Sequence, residues 1–366
     1  MLSCYNTRER RRWTPCAIDQ GLGAMLPAGI LPGCCADRVA LAPSRIKPRL
    51  GAGKGFFMKI LVTGGAGFIG SHLVRLLQDA GETVTVVDNF STGLRENLPE
   101  GTDCRPMDVT SPQLETLFEE EHFDAVVHLA GQTTVHVSMA DPELDGMQNV
   151  VGSIHVLEQA RRYGATRVIF ASTAASYGDV PEEHLPIDES EPLAPLSFYG
   201  LSKVTVEKYL ALYQRAYGLD YVVLRFANVY GERQGVGGEG GVISIFAKKV
   251  AQGEPLTIYG DGGQTRDFIY AGDIASGIYA ALKTQQVNRA YNLSTQTETS
   301  LKELVSVLEQ AAGHEIPVSC KEARSGDIYQ SVLANGRARR ALGWQPEVSL
   351  EEGLRRTYRY FQEMQQ

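Results

Sequence analysis

The stretch KILVTGGAGFIGSHLVRLLQDAG, residues 59–81, decides the fold. KILVTG is a short apolar run of the kind that fills a strand buried on both faces of a parallel sheet. FIGSHLVRLLQDAG then carries its apolar residues at helical spacing and stops at Gly81. Between them lies a glycine-rich turn. Gly64, Gly67 and Gly70 fit one glycine frame, and Gly65, Gly67 and Gly70 fit another, so the spacing leaves the frame open. The physics is common to both. Glycines let the backbone turn tightly and approach a pyrophosphate, and the helix start at Phe68 and Ile69 offers free N–H groups and a positive dipole end. A tight turn with no ligand is the alternative.

Working outward, TVTVVD (83–88) reads as the second strand and ends on Asp88, followed by Asn89. A carboxylate at that point accepts from ribose hydroxyls and repels a 2′-phosphate, which favours NAD over NADP. DAVVHLA (124–130), TRVIFAS (166–172) and DYVVLRF (220–226) are further strands, with helical stretches near 143–163 and 198–217. Alternating units of this kind build an α/β, doubly wound parallel sheet of Rossmann type. After Asn228 the pattern changes. GERQGVGGEGG (231–241) reads as a mobile loop, and a helix at about 242–252 opens a smaller α/β region. The expected domains are 58–230 and 231–366, some strands and helices of the second returning to the first.

The chain has 366 residues, 43% hydrophobic and 21% charged, as an ordinary globular protein does. A net charge of −8 argues against a nucleic-acid partner, and no apolar run approaches a membrane span. Residues 1–57 differ from the rest. They hold nine Lys and Arg against three acids, a charge of +6 that leaves −14 for residues 58–366, and four of the six cysteines. A disordered basic arm, an Arg-rich targeting peptide and a misassigned extension ahead of a start at Met58 all fit, and the last is the expectation. N-terminal sequencing of the native protein decides it. Only Cys104 and Cys320 remain in the body, which points to a reducing, cytoplasmic compartment, and no Cys/His spacing calls for a metal.

YGLSK, residues 199–203, places Tyr199 four residues before Lys203. On a helix both side chains share one face. A phenol with a pKa near ~10 is a poor base at neutral pH, and a cation beside it favours the phenolate. A surface Tyr and Lys on an amphipathic helix is the bland alternative.

TGGAGFIG, HLAGQ and YGLSK, in that order, resemble the extended short-chain dehydrogenase/reductase family. Within it the chain is similar to bacterial UDP-glucose 4-epimerases and related nucleotide-sugar epimerases. The resemblance runs from Met58 to about Phe361. MDVTS (107–111), NVVGSIHVLEQAR (149–161), FASTAASYG (170–178), LRFANVYG (224–231), RDFIYAGDIA (266–275), ARSGDI (323–328) and LGWQPEVSLEEGL (342–354) extend it.

The resemblance implies roles position by position. NAD is the implied cofactor, held by Gly64, Gly67, Phe68, Ile69, Gly70, Asp88 and Asn89. Asp108 and Val109 border the adenine, and Leu129, Ala130 and Gln132 line the cofactor cleft. Asn149 lies on a central helix near the site. Tyr199 is the expected base and Lys203 its activator, depressing the phenol's pKa together with the nicotinamide. Thr173 takes the place of the hydroxyl residue that bonds the reacting alcohol. Asn228, Val242, Arg266, Arg324 and Asp327 are expected on a UDP-sugar. Sugar dehydratases of this kind place an Asp-Glu pair after the threonine, and the decarboxylases a glutamate; here Ala174 and Ala175 stand there. That leaves C4 oxidation and re-reduction of a UDP-hexose as the expected reaction. UDP-glucose/UDP-galactose is the first expectation, UDP-N-acetylhexosamine or UDP-glucuronate the next. An NAD(P)-linked sugar reductase or dehydrogenase that releases a changed cofactor and a silent NAD-binding scaffold are the other readings. A homodimer through the helices near 143–163 and 198–217 is also implied.

Overall fold

Alternate residues of the first strand face opposite ways. β1, Lys59–Thr63, sends Ile60 and Val62 to one side and Leu61 to the other, all fully buried. Such a strand needs a covering layer on each face, and the computed structural model supplies both. It describes residues 57–235, 240–322 and 328–365, all within the unit Lys47–Gln366. The expectations for the basic N-terminal segment therefore fall on residues outside the described ones.

The chain runs β1, α1 (Phe68–Asp79), β2 (Thr83–Asp88), β3 (Asp103–Pro106), α2 (Gln113–Glu121) and β4 (Ala125–His128). Then follow α3 (Val135–Ala140), α4 (Pro142–Asp145), a π-helical turn (Gly146–Val151) and α5 (Gly152–Arg162). The helix expected near 143–163 is thus interrupted by a wider turn. β5 (Arg167–Thr173), α6 (Phe198–Tyr217) and β6 (Asp220–Phe226) come next. The remaining elements are β7 (Asn228–Tyr230), α7 (Val242–Ala251), β8 (Leu256–Tyr259), β9 (Thr265–Arg266), β10 (Phe268–Tyr270), α8 (Ala271–Lys283), β11 (Arg289–Leu293), β12 (Thr299–Ser300), α9 (Leu301–Ala312), β13 (Val318–Lys321), α10 (Gly336–Leu342) and α11 (Leu350–Glu363).

Seven parallel strands form the central sheet in the order β3-β2-β1-β4-β5-β6-β11. The order reverses between β1 and β4, and a doubly wound sheet opens its ligand crevice at such a point. One face buries Leu73 of α1 and Ile274 and Ile278 of α8 against Ile60, Val62 and Val127. The other buries Leu117 of α2, Leu157 of α5 and Val206 of α6 against Leu61, Val126 and Val168. A third core, with Phe246, Leu256, Leu304, Leu308 and Leu354, holds α7, β8, α9 and α11 together. β11 crosses back to the edge of the main sheet beside β6, in register from Arg289 opposite Val222.

Candidate active site

The four glycines of the first turn do different work. Gly64 has φ +70°, a left-handed conformation that favours glycine, and a Cβ there would meet Ala130 N at 2.7 Å. A Cβ on Gly70 would lie 2.2 Å from Gly64 O, so this glycine lets α1 press against the turn. Gly65 sits over Val86, whose Cγ1 an added Cβ would meet at 2.7 Å. Both glycine frames are therefore in use, one for the turn and one for packing. Gly67 caps α1 with no side-chain bond, and no acid occupies the helix's first turn. The free N–H groups at this end face the cleft with Phe68 and Ile69, a cradle that fits a pyrophosphate.

Asp88, at the end of β2, is buried beside this turn. Its two oxygens accept from Ala66 N at 2.9 Å and Phe90 N at 2.8 Å. Burial raises its pKa, against those backbone donors. Asn89 Nδ2 donates to Asp108 Oδ2 at 2.7 Å, and Thr110 donates to Oδ1 through its backbone and its hydroxyl. For Asp108, burial, which alone would raise the pKa, is outweighed by the Thr110 and Asn89 donors, so the carboxyl is held low. Val109, Leu129 and Ala130 complete this wall of one cleft of about 790 Å³.

Gln132 does not join them. It is buried, but Nε2 donates to Asp145 Oδ1 at 2.9 Å and Oε1 accepts from Thr134 N, so it supports a neighbour of the cleft instead of lining it. Asn149, in the π-helical turn, is buried with it. Its Nδ2 reaches Gln132 O, Asp145 Oδ1 and Ser202 Oγ.

The placement of Tyr199 and Lys203 is set by the start of α6. Ser197 Oγ accepts from Gly200 N at 3.1 Å and fixes where the helix begins. A Cβ at Gly200 would stand 2.7 Å from Ala175 O. The glycine inside YGLSK thus lets the helix touch the 3₁₀ turn Ala174–Ser176, which brings Tyr199 onto Thr173. Thr173 Oγ1 also accepts from Ala175 N at 3.1 Å. Lys203, one turn along, is buried with Nζ 5.8 Å from the Tyr199 ring centre and 5.1 Å from that of Phe170.

The electrostatics differ from the sequence expectation. Burial raises the Tyr199 phenol above its ordinary range; the Thr173 hydrogen bond works against that, and the Asp145 charge adds to it. Burial lowers Lys203 to about 8, with Asp145 opposing. Desolvation of both groups therefore outweighs their mutual influence.

Asn228, Val242 and Arg266 line the far end of the same cleft, and Arg266 Nη1 donates to Thr265 O at 2.7 Å. Arg324 and Asp327 lie outside the described residues. The only carboxylates on the cleft wall among the described residues are Asp88 and Asp108, both at the glycine-turn end. Ala174 and Ala175 stand beside Tyr199 as the sequence requires.

Residues 60–294 match the model of the family described as NAD dependent epimerase/dehydratase family. The chain is similar to the UDP-glucose 4-epimerase of Thermotoga maritima solved with UDP-glucose, at 39% identity and a TM-score of 0.81 over 84% of this chain and 100% of that one. It is similar to the Thermus thermophilus UDP-glucose 4-epimerase solved with NAD, at 41% identity and a TM-score of 0.78 over 83% and 99%. The UDP-glucose 4-epimerase of Mycolicibacterium smegmatis is 38% identical over 315 residues, 84% of this chain and 100% of that protein. With matches of that extent over a cradle that fits a dinucleotide, the chain belongs to the NAD dependent epimerase/dehydratase family, and its cofactor is NAD.

Proposed function

We propose that the protein inverts C4 of a UDP-hexose, UDP-glucose and UDP-galactose first, through a transient 4-keto sugar with Tyr199 as the base. One observation carries this reading. Around Tyr199 and Thr173 the cleft wall offers a phenol, a hydroxyl and a buried ammonium, and among the described residues no carboxylate. Elimination of water or loss of CO2 calls for an acid there; oxidation and re-reduction at one carbon do not. Bound NAD would supply the hydride chemistry at C4 and positive charge beside the phenol.

The remaining steps belong to the chain. Uncapped N–H groups at Phe68 and Ile69 hold the pyrophosphate, and Asp88 takes the ribose. Thr173 holds the sugar 4-hydroxyl toward Tyr199, which removes its proton. Tyr199 then keeps that proton inside the cleft and gives it back to the sugar oxygen. Lys203 keeps the phenolate electrostatically favourable and bonds the nicotinamide ribose. Asn228, Val242 and Arg266 hold the nucleoside diphosphate, Arg266 by charge-assisted bonds. Arg324 and Asp327 remain proposed for the same end.

A homodimer is part of the proposal. Leu144, Met147 and Val151, on α4 and the π-helical turn, and Phe198, Leu201 and Leu212 on α6 are all exposed. These apolar side chains on two adjoining helices suit burial against a second copy, and light scattering at the monomer mass removes this part.

The test is incubation with UDP-galactose, UDP-N-acetylglucosamine and UDP-glucuronate in turn, resolving the 4-epimers by NMR. UDP-glucose formed from UDP-galactose without net NADH is the expected result. Net NADH identifies a dehydrogenase, and no turnover of any of the three identifies an NAD-binding scaffold.

A further inference from the structure

Asp145 ends α4 and is 1% exposed. Its Oδ1 accepts from two neutral amides, Gln132 Nε2 at 2.9 Å and Asn149 Nδ2 at 3.0 Å. Among the described residues no Lys, Arg or His pairs with it within 4.0 Å. Lys203, 4% exposed, likewise has no acid within that distance among the described residues.

The two charges belong to one buried polar cluster. Asn149 Nδ2 bridges Asp145 to Ser202 Oγ at 3.1 Å, and Ser202 precedes Lys203. Asn149 Oδ1 is buried and accepts from no group in the structure. That oxygen and Lys203 Nζ lie 2.4 and 3.8 Å from the point where a side chain at Gly131 would begin. Gly131 has φ +152°, and only a residue without a side chain leaves that space. A buried charge with no opposite charge nearby is costly. At this end of the site Asp145 and Lys203 supply each other's.

We propose that Asp145 is the counter-charge of the Tyr199–Lys203 pair, a positioning residue whose carboxylate sets where on the pH scale the two groups titrate. The inference rests on reading Tyr199 as the base. Its sign follows from the charges alone. A carboxylate stabilises the Lys203 cation and opposes the Tyr199 anion, so it moves both ionisations to higher pH. Both influences operate here: Asp145 holds Lys203 up against burial and adds to the upward push on Tyr199.

Other charges around the pair are spoken for. His128 on β4 faces Lys203, but burial and then the Lys203 charge lower it to about 3, so it is neutral through the working range. Glu207 on α6 is taken by Arg225 of β6. Thr173 of β5 offers a hydroxyl and no charge.

The test compares wild type, Asp145→Asn and Asp145→Glu, with Asp145→Ser replacing Asp145→Asn if that variant does not fold. The first readout needs no substrate: the near-ultraviolet phenolate titration of each protein minus that of its Tyr199→Phe counterpart. The midpoint is expected about one pH unit lower in D145N and near wild type in D145E. The second readout is the pH profile of kcat, both limbs of which move down together in D145N. A phenolate midpoint that stays put in the neutral variant overturns the assignment, as does a kcat loss that is uniform in pH. Absence of epimerase activity in the wild type sinks the function proposed above and leaves the phenolate titration to decide on Asp145.

Discussion

Glu207 takes Arg225 in a two-pronged grip, Oε1 accepting from Nε at 3.1 Å and Oε2 from Nη2 at 2.7 Å, with both side chains buried. Glu207 Oε1 also accepts from Ser172 Oγ at 2.6 Å, and Arg225 Nη1 donates to Tyr177 OH at 3.0 Å. Tyr199, Lys203 and Glu207 recur every four residues on one face of α6. The first two face the cleft, and the third bolts the helix to the strand that ends in Thr173. Removing one partner of such a pair strands a buried charge, at roughly 3–5 kcal/mol. Glu207→Gln is therefore expected to lower unfolding free energy by about 3 kcal/mol in urea titration. Because the Ser172 hydroxyl beside Thr173 then has a neutral amide oxygen in place of a carboxylate to hold it, kcat is expected to fall as well, with KM less affected.

Tyr199→Phe removes one oxygen and leaves the packing of α6 intact. If the phenol moves the proton, kcat falls about 10²–10⁴-fold, the usual worth of a general base. NAD affinity, measured by fluorescence titration, is expected to change little because the glycine turn and Asp88 are untouched. Activity within a few fold of wild type removes Tyr199 from the mechanism.

The strands of the parallel sheet and the glycine turn are legible because their signals are local. Strands β1, β2, β4, β5 and β6 announce themselves as apolar runs, and α6 falls where the spacing places it, at 198–217. β3 is not legible: DCRP holds one apolar residue, and it pairs on one side only, at the sheet edge. Nor is the break in the helix near 143–163, since the π-helical turn reflects how Asn149 and Asp145 meet residues 132 and 202 across the fold. Residue identity named Tyr199, Lys203 and Thr173 as partners. It could not give their burial, and burial is what raises the phenol and lowers the amine. Gln132 misleads for the same reason: its neighbours in sequence line the cleft, while its amide turns to Asp145.

Gly70→Ala tests the turn. The added methyl would stand 2.2 Å from Gly64 O and 2.7 Å from Gly65 Cα, backbone atoms that cannot rotate away. α1 must move off the turn, at roughly 1–3 kcal/mol of stability. NAD affinity is expected to fall at least about tenfold, since the same shift displaces the N–H groups from the pyrophosphate. At Gly146 a methyl meets nothing within 4 Å, so Gly146→Ala is the control expected to leave affinity unchanged.

His128 sets part of the acid limit of stability. Nδ1 lies 2.7 Å from Thr63 Oγ1 and Nε2 2.9 Å from Ser153 Oγ. Ser153 spends its own proton on Asn149 O, so Nε2 is the protonated nitrogen and Nδ1 accepts from Thr63. The neutral ring is thus satisfied at both ends. Burial, with the Lys203 charge, lowers it to about 3, and burial with the Arg233 charge does the same to His72. Between the ordinary histidine value near ~6.5 and about 3 the unfolded chain binds a proton that the folded one refuses, so stability is full above that window and drains as pH falls through it. Each histidine is expected to remove about 2 kcal/mol between pH 6.5 and 5. Urea titrations of wild type and His128→Gln across that range measure the slope. The variant, less stable at neutral pH, is expected to lose one histidine's share of the pH dependence, and an unchanged slope contradicts the buried neutral imidazole.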